Sequence, residues 1–176
     1  MVKAIGQSFL KLDMNLFMFL ASMHEGTILK RFFKMLSKIG DGYFYFIFAV
    51  FQLIAGGIEG RWLVATAAIA FAIELPLYFI LKKSVKRLRP FEKFPHKPFL
   101  ITPPDKYSFP SGHTAAAFLM AKIFSWQFAW LSLPLFMLAG LIGYSRIYLR
   151  VHYPSDVFFG MLLGILSAGF ALMIVF

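Results

Sequence analysis

From residue 43 onward the chain alternates long apolar stretches with short polar breaks, and the breaks mark out its helices. Tyr43 to Ala55 is apolar and ends at Gly56-Gly57, a pair that interrupts a helix. Glu59 to Arg61 reads as a short polar loop. Trp62 to Leu81 predicts a long apolar helix that runs into Lys82-Lys83-Ser84-Val85-Lys86-Arg87-Leu88-Arg89 until Pro90 stops it. Phe91 to Phe109 holds four prolines and mixed charge without a helical period, and is expected as loop. Pro110 is placed to open a helix reaching about Trp126. Phe128 to about Leu149 runs back, and Pro154 opens a last helix that continues to Phe176. Val157 to Phe176 carries no charge, and twenty such residues in a helix span about 30 Å, the thickness of a hydrocarbon core.

The first forty residues are mixed. Met14 to Met23 is too short to span. Thr27 to Lys38 sets Ile28, Leu29, Phe32, Phe33 and Leu36 among Lys30, Arg31, Lys34 and Lys38, the pattern of a basic amphipathic helix lying in the membrane interface. The alternative is a short or tilted first span within residues 7 to 29. Asp41-Gly42 reads as a turn. No cleavable leader is apparent, because Lys11 and Asp13 interrupt the first apolar stretch and no small-residue cleavage site follows. The expected fold class is all-α: a polytopic membrane helical bundle of one domain, residues 1–176, with an N-terminal amphipathic segment over 1–40 and a core over 60–176.

Composition agrees. Of 176 residues, 60% are hydrophobic, too many for a soluble domain of this size. There is no cysteine, so disulfide and thiol chemistry are excluded. The formal net charge of +10 suits contact with anionic lipid head groups. Nucleic acid is not an expected partner, since no basic segment is interleaved with a soluble recognition fold. Trp62, Trp126 and Trp130 fall at one membrane face, and Tyr43, Tyr45, Tyr107, Tyr144, Tyr148 and Tyr153 near the other, as interfacial aromatic belts do.

Three polar clusters stand out in this apolar chain. Lys82 and Arg89 are seven residues apart, which in a helix places both on one face. Pro110-Ser111-Gly112-His113 sits at a helix start. Ser145-Arg146 is followed by His152 and Asp156. Only loop separates Arg89 from Pro110, and two spans separate His113 from Arg146, so all three clusters emerge on one side of the membrane. Lys82, Arg89 and Arg146 offer cationic donors, and the helix starts at Pro110 and Pro154 offer free N–H groups and a positive dipole end. Together they describe an anion site, with phosphate the natural occupant. Two histidines and a carboxylate complete a nucleophile, an acid and an orienting group. No metal-ligand pattern is present, and no cofactor is expected. Taken singly, each cluster has a duller reading: an interfacial lysine anchor, a helix cap, a first-turn carboxylate. Their coincidence on one side argues against that, because ionisable groups in membrane segments are costly.

The same residues resemble the three motifs of the type 2 phosphatidic acid phosphatase superfamily. Lys82, six residues and Arg89-Pro90 match the first. Pro110-Ser111-Gly112-His113 matches the second. Ser145-Arg146, five residues, His152, three residues and Asp156 match the third. The resemblance covers about residues 60 to 176. It implies a bundle of about six membrane helices and metal-independent hydrolysis of a phosphomonoester or diphosphate, as in bacterial lipid phosphatases. In that scheme His152 attacks phosphorus to form a phosphohistidine, Asp156 orients it, and His113 serves the leaving oxygen and then water. Lys82, Arg89, Ser111, Gly112 and Arg146 hold the phosphate oxygens.

Phe91, Phe94 and Phe99 beside the site suit a substrate at head-group depth. Candidates are undecaprenyl diphosphate, phosphatidylglycerol phosphate, phosphatidic acid and the 1-phosphate of lipid A. Glu74, about two turns before Lys82, is expected either to pair with a basic residue of the site, to line a polar cavity, or to hold helices in register. His24, His96 and Arg150 lie near the same face without an assigned role. The resemblance places the site at the extracytoplasmic face of a bacterial cytoplasmic membrane. The Lys/Arg excess on the active face, read as a topology signal, points the other way. The competing functions are a phosphotransferase using the same residues and a lipid-binding or transport protein that keeps the pocket.

Overall fold

A computed structural model describes residues 2–22, 26–93, 100–103 and 105–176, the side chains of residues 2–7 and 9 excepted. His24, Phe94, His96 and Phe99 lie outside the described residues. The elements are α1 (Val2–Ala21), α2 (Thr27–Ile39), α3 (Gly42–Ala55), α4 (Gly57–Val85), α5 (Pro90–Lys93), α6 (Gly112–Gln127), a 3-10 turn (Ala129–Leu131), α7 (Ser132–Tyr148) and α8 (Pro154–Val175). Among the described residues no strand forms; one isolated bridge joins Leu88 to Tyr107.

The all-α membrane bundle is what the hydropathy demands. Among the described residues, three helices are long and apolar enough to cross a bilayer: α4, α7 with the turn before it, and α8. A fourth crossing results if α2 and α3, bent by 47° at their junction, act as one broken span. With no water in the hydrocarbon, helices satisfy their own backbone groups, so apolar stretches of this length fold no other way.

Helix α6 is the centre. It packs on α4, α7 and α8, and Ala115, Leu119, Ala121 and Ile123 along it are buried. Its closest neighbour is α8, where small residues let the backbones approach. A Cβ on Gly160 would lie 2.5 Å from the Ser111 carbonyl oxygen, and one on Gly164 would collide with the Ala115 carbonyl. Close approach through glycine is the usual adhesive between helices in lipid, where apolar burial gives no drive. Helix α2 packs Phe33 against Tyr148 of α7, ring centroids 4.4 Å apart, and buries Phe33 and Leu36 on protein while Ile28, Phe32 and Met35 stay exposed. Helix α1 docks through Phe17, which meets the Tyr153 ring at 5.5 Å.

Four local expectations are corrected. Glu59 to Arg61 is no loop: Gly57, at φ 59°, makes the turn and α4 starts there, so these polar residues occupy its first turns. Helix α4 ends at Val85, where Lys86 adopts a left-handed φ of 49°. Arg89 therefore does not share a helix face with Lys82. Pro90 adds to the break, because its ring disfavours the helical region for Arg89 itself. The stretch after Pro90 is not all loop, since α5 forms there. Pro110 precedes α6 rather than opening it; Ser111 is the N-cap residue, in extended conformation.

Candidate active site

The C-terminal ends of α4 and α7 and the N-terminal ends of α6 and α8 meet at one end of the bundle. At the opposite end the Trp62 and Trp126 rings stand 6.5 and 6.1 Å from the Phe176 ring. The route back from α7 to α8 is a tight turn. Arg150 takes φ 65°, and the N–H groups of Val151 and His152 both donate to the Arg146 carbonyl, at 3.1 and 3.3 Å. This folds His152 inward over the end of α7, where it is 3% exposed.

His152 Nε2 lies 3.3 Å from Arg89 Nη1, which donates at 2.8 Å to the Val151 carbonyl. His152 Nδ1 faces Asp156 Oδ2 at 3.7 Å, just beyond hydrogen-bond reach. Burial, then the charges of Arg89, Arg146, Lys82 and His113, push the imidazole well below its ordinary value. The ring is neutral at neutral pH, with a lone pair available.

Arg89 and Lys82 reach the site from different backbone segments and share one anion. The Asp105 carboxylate accepts from Arg89 Nη2 at 2.7 Å through Oδ1 and from Lys82 Nζ at 2.7 Å through Oδ2. Burial pushes that carboxyl up, but the hydrogen bonds from Lys82 and Arg89 outweigh it and hold the carboxyl below its usual range. Lys82 also contacts the Tyr78 hydroxyl. Arg146 is buried and donates through Nη1 to Ser37 of α2. His113 Nε2 pairs with Asp41 Oδ1 at 2.8 Å. Ser111 Oγ bonds Thr114 Oγ1 at 2.8 Å, and its N–H donates to the Asp156 carbonyl at 3.0 Å. Gly112 lies against Tyr78, whose ring would stand 3.1 Å from any Cβ there.

All eight residues singled out from the sequence thus lie at this end of the bundle. Sequence reasoning missed the partners: Asp13, Ser37, Asp41, Asp105 and Arg87. Arg87 alone carried a signal, as a member of the basic run two residues from Arg89. Among the described residues, no three His, Asp or Glu side chains come together as a metal ion requires.

A cavity of about 510 Å³ opens beside His113 and Tyr78 and continues between α3, α4 and α6 along Phe48, Leu63, Val64 and Phe71. Glu74 lines it. The lining is otherwise almost wholly apolar, the character of a site for a hydrocarbon ligand.

The family model described as "PAP2 superfamily" matches residues 59–176. The chain is 36% identical over 131 residues to the bacitracin transport permease protein BcrC of Bacillus licheniformis, covering 73% of this chain and 63% of that protein. It is 35% identical over 135 residues to the undecaprenyl-diphosphatase of Sulfolobus acidocaldarius, covering 73% and 62%. The chain thus spans about three-fifths of the length of the curated relatives it matches. The crystal structure of Aquifex aeolicus LpxE superposes with a TM-score of 0.82 at 34% identity, covering 92% of this chain and 95% of that one.

Proposed function

This chain belongs to the PAP2 superfamily, and from that membership we propose that it is an integral-membrane lipid phosphatase working through a phosphohistidine at His152. The observation that carries this reading is the setting of His152 Nε2: neutral, 3.3 Å from Arg89, and ringed by Arg146, Lys82 and His113. A phosphate seated there meets cations on its oxygens and a lone pair at phosphorus.

In this reading His152 Nε2 attacks phosphorus, the bond from phosphorus to the lipid oxygen breaks, and His113 gives that oxygen a proton. Water then attacks the phosphohistidine, His113 takes the water's proton, and inorganic phosphate leaves with His152 regenerated. Asp156 faces Nδ1 and stabilises the imidazolium that develops, as the carboxylate does in a serine-protease triad. Asp41 holds His113 in place through Nε2. Lys82, Arg89, Arg146, Ser111 and Gly112 receive the phosphate oxygens, and they favour the charge-rich transition state over the ground state. The apolar cavity beside His113 takes the lipid chain. Residues 1–176 act as one domain, because Asp13, Ser37 and Asp41 each bond a group of the site end.

The site faces outward from a bacterial cytoplasmic membrane. The opposing Lys/Arg count is reduced but not removed: Lys82, Arg87, Arg89 and Arg146 are committed to contacts inside the fold and report poorly on topology, whereas Lys83, Lys86, Lys93 and Lys106 remain exposed on that face. The chain has no cysteine, so a single cysteine at exposed Lys106 reports sidedness cleanly. A membrane-impermeant thiol reagent is expected to label it in intact cells; labelling only after lysis reverses the assignment.

The functional test is phosphate release in detergent with EDTA, over undecaprenyl diphosphate, phosphatidylglycerol phosphate, phosphatidic acid and lipid A 1-phosphate. Release from one of them that survives EDTA and disappears in His152→Ala is the expected result. Turnover remaining in that variant ends the assignment of His152. Release seen only with an added acceptor lipid makes the protein a transferase.

A further inference from the structure

Behind His152, on the side of its Nδ1, lies a second polar cluster in which the reaction scheme uses Asp156 alone. Asp13 comes from α1, Arg87 from the extended stretch after α4, and Ser155 and Asp156 from the first turn of α8. Asp13 is 5% exposed and Asp156 is fully buried. Asp13 Oδ1 accepts from the Ser155 N–H at 2.9 Å, and Oδ2 accepts from Ser155 Oγ at 2.7 Å and from Arg87 Nη2. Arg87 Nη1 donates to Ser155 Oγ at 2.6 Å and to Asp156 Oδ1 at 2.8 Å. The guanidinium lies 3.9 Å above the Tyr153 ring. Asp156 Oδ2 accepts from the Tyr153 N–H at 2.8 Å and is the oxygen turned toward His152 Nδ1.

The arithmetic of charge is the point. One guanidinium serves two carboxylates, so neither receives all of it. Asp156 must remain a strong acceptor to steady the imidazolium forming on His152. A guanidinium paired with Asp156 alone would be free to engage it with both nitrogens, the strongest arrangement the two groups have. Asp156 would then be drawn from His152 and its charge cancelled. Asp13 prevents this by holding Nη2.

We propose that Asp13 is a positioning residue for the phosphatase reaction: by dividing Arg87 between two carboxylates, it keeps Asp156 available to His152. This rests on the reading of His152 as nucleophile and Asp156 as its orienting partner. It assigns α1, which lies outside the matched family region, a part in the site.

The test is Asp13→Asn, nearly equal in shape, which presents an amide where Arg87 and Ser155 Oγ find a carboxylate oxygen. The first readout is the His152 Nδ1–H proton resonance in ¹⁵N-histidine-labelled protein in detergent, assigned by its loss in His152→Ala. The groups that act on this ring from the packed elements are Lys82, Arg89, His113, Arg146 and Asp156; none of them is itself substituted, and only Asp156 is in contact with the altered cluster. The resonance is expected to move upfield as the Asp156 carboxylate, 3.7 Å from Nδ1, is drawn away from the ring. The second readout is kcat, expected to fall about 10–100-fold, the usual cost of removing an outer-shell partner, with KM within about threefold. Should Asp13→Asn fail to fold, Ser155→Ala removes two of the same hydrogen bonds without changing charge, and is expected to shift the resonance the same way by less. A resonance that stays in place overturns the proposal, even if the melting temperature drops, because Asp13 would then only dock α1. The resonance is read without substrate, so it decides the matter even if no lipid in the panel is hydrolysed and the phosphatase reading falls.

Discussion

Two glycines on α8 invite the same substitution with opposite results. A Cβ at Gly160 would stand 2.5 Å from the Ser111 carbonyl oxygen and 3.2 Å from Thr114 Cβ. Carbon–oxygen contacts between backbones settle at about 3.3–3.6 Å, so the new methyl is nearly 1 Å too close. Neither neighbour can swing aside: one is backbone, and the other is a Cβ. At Gly169 nothing lies within 4 Å of the added atom. Both substitutions gain about 1 kcal/mol from the helix preference of alanine over glycine, and that gain cancels when the two variants are compared. What remains is the cost of forcing α8 from α6, about 1–3 kcal/mol for overpacking of this kind. For a chain of this size each kcal/mol moves the melting temperature by about 2–4 °C. Gly160→Ala should therefore melt roughly 2–12 °C below Gly169→Ala in the same detergent. The damage should also be functional. Ser111 donates to the Asp156 carbonyl at 3.0 Å, so pushing its backbone disturbs the starts of both helices at once. Gly160→Ala should lose kcat/KM, and Gly169→Ala should keep it. Equal melting temperatures would show that α6 and α8 are not in the close contact described.

Two further outcomes follow from the charges at the site. His152 has its pKa depressed, so it stays neutral as pH falls through 6.5 and takes a proton only well below that. The acid limb of kcat/KM, measured with a substrate whose phosphate does not titrate in the same range, should lie below pH 6.5; a limb at or above it contradicts the burial and the surrounding charge. Asp105 sits on Lys82 and Arg89, the place the proposed mechanism gives to phosphate, and it is partly exposed, so its hold is worth about 1 kcal/mol. Asp105→Asn should tighten inhibition by orthovanadate about fivefold. Weaker inhibition would mean that the carboxylate organises the two cations and does not compete with the anion.

The spans of α4, α7 and α8 were legible because so apolar a stretch of that length has few ways to satisfy its backbone, even with Glu74 inside α4. The gathering of Lys82, His113 and Arg146 at one end was legible by counting crossings. The break at Lys86 was harder to see. Lysine at positive φ has no signature, and the run from Lys82 to Arg89 is made of residues that helices tolerate. Only Pro90 hinted that Arg89 leaves the helix. Asp13, Asp41 and Asp105 could not be read at all. Each is a single carboxylate outside the motifs, and its partner is chosen by packing between segments distant in sequence. Asp13 and Ser155 are 142 positions apart.

The matched region begins at residue 59, yet three buried or half-buried bonds at the site cross that line: Asp13 to Arg87, Ser37 to Arg146 and Asp41 to His113. The boundary drawn by recurring motifs is therefore not a boundary of function. A fragment started at residue 59 would carry every motif residue, yet Arg146 would lose Ser37, His113 would lose Asp41, and Arg87 would keep Ser155 and Asp156 but lose Asp13. A chimera that borrows the first 58 residues of a relative would inherit the same fault, unless the donor supplies an acid, a hydroxyl and an acid at the matching depths.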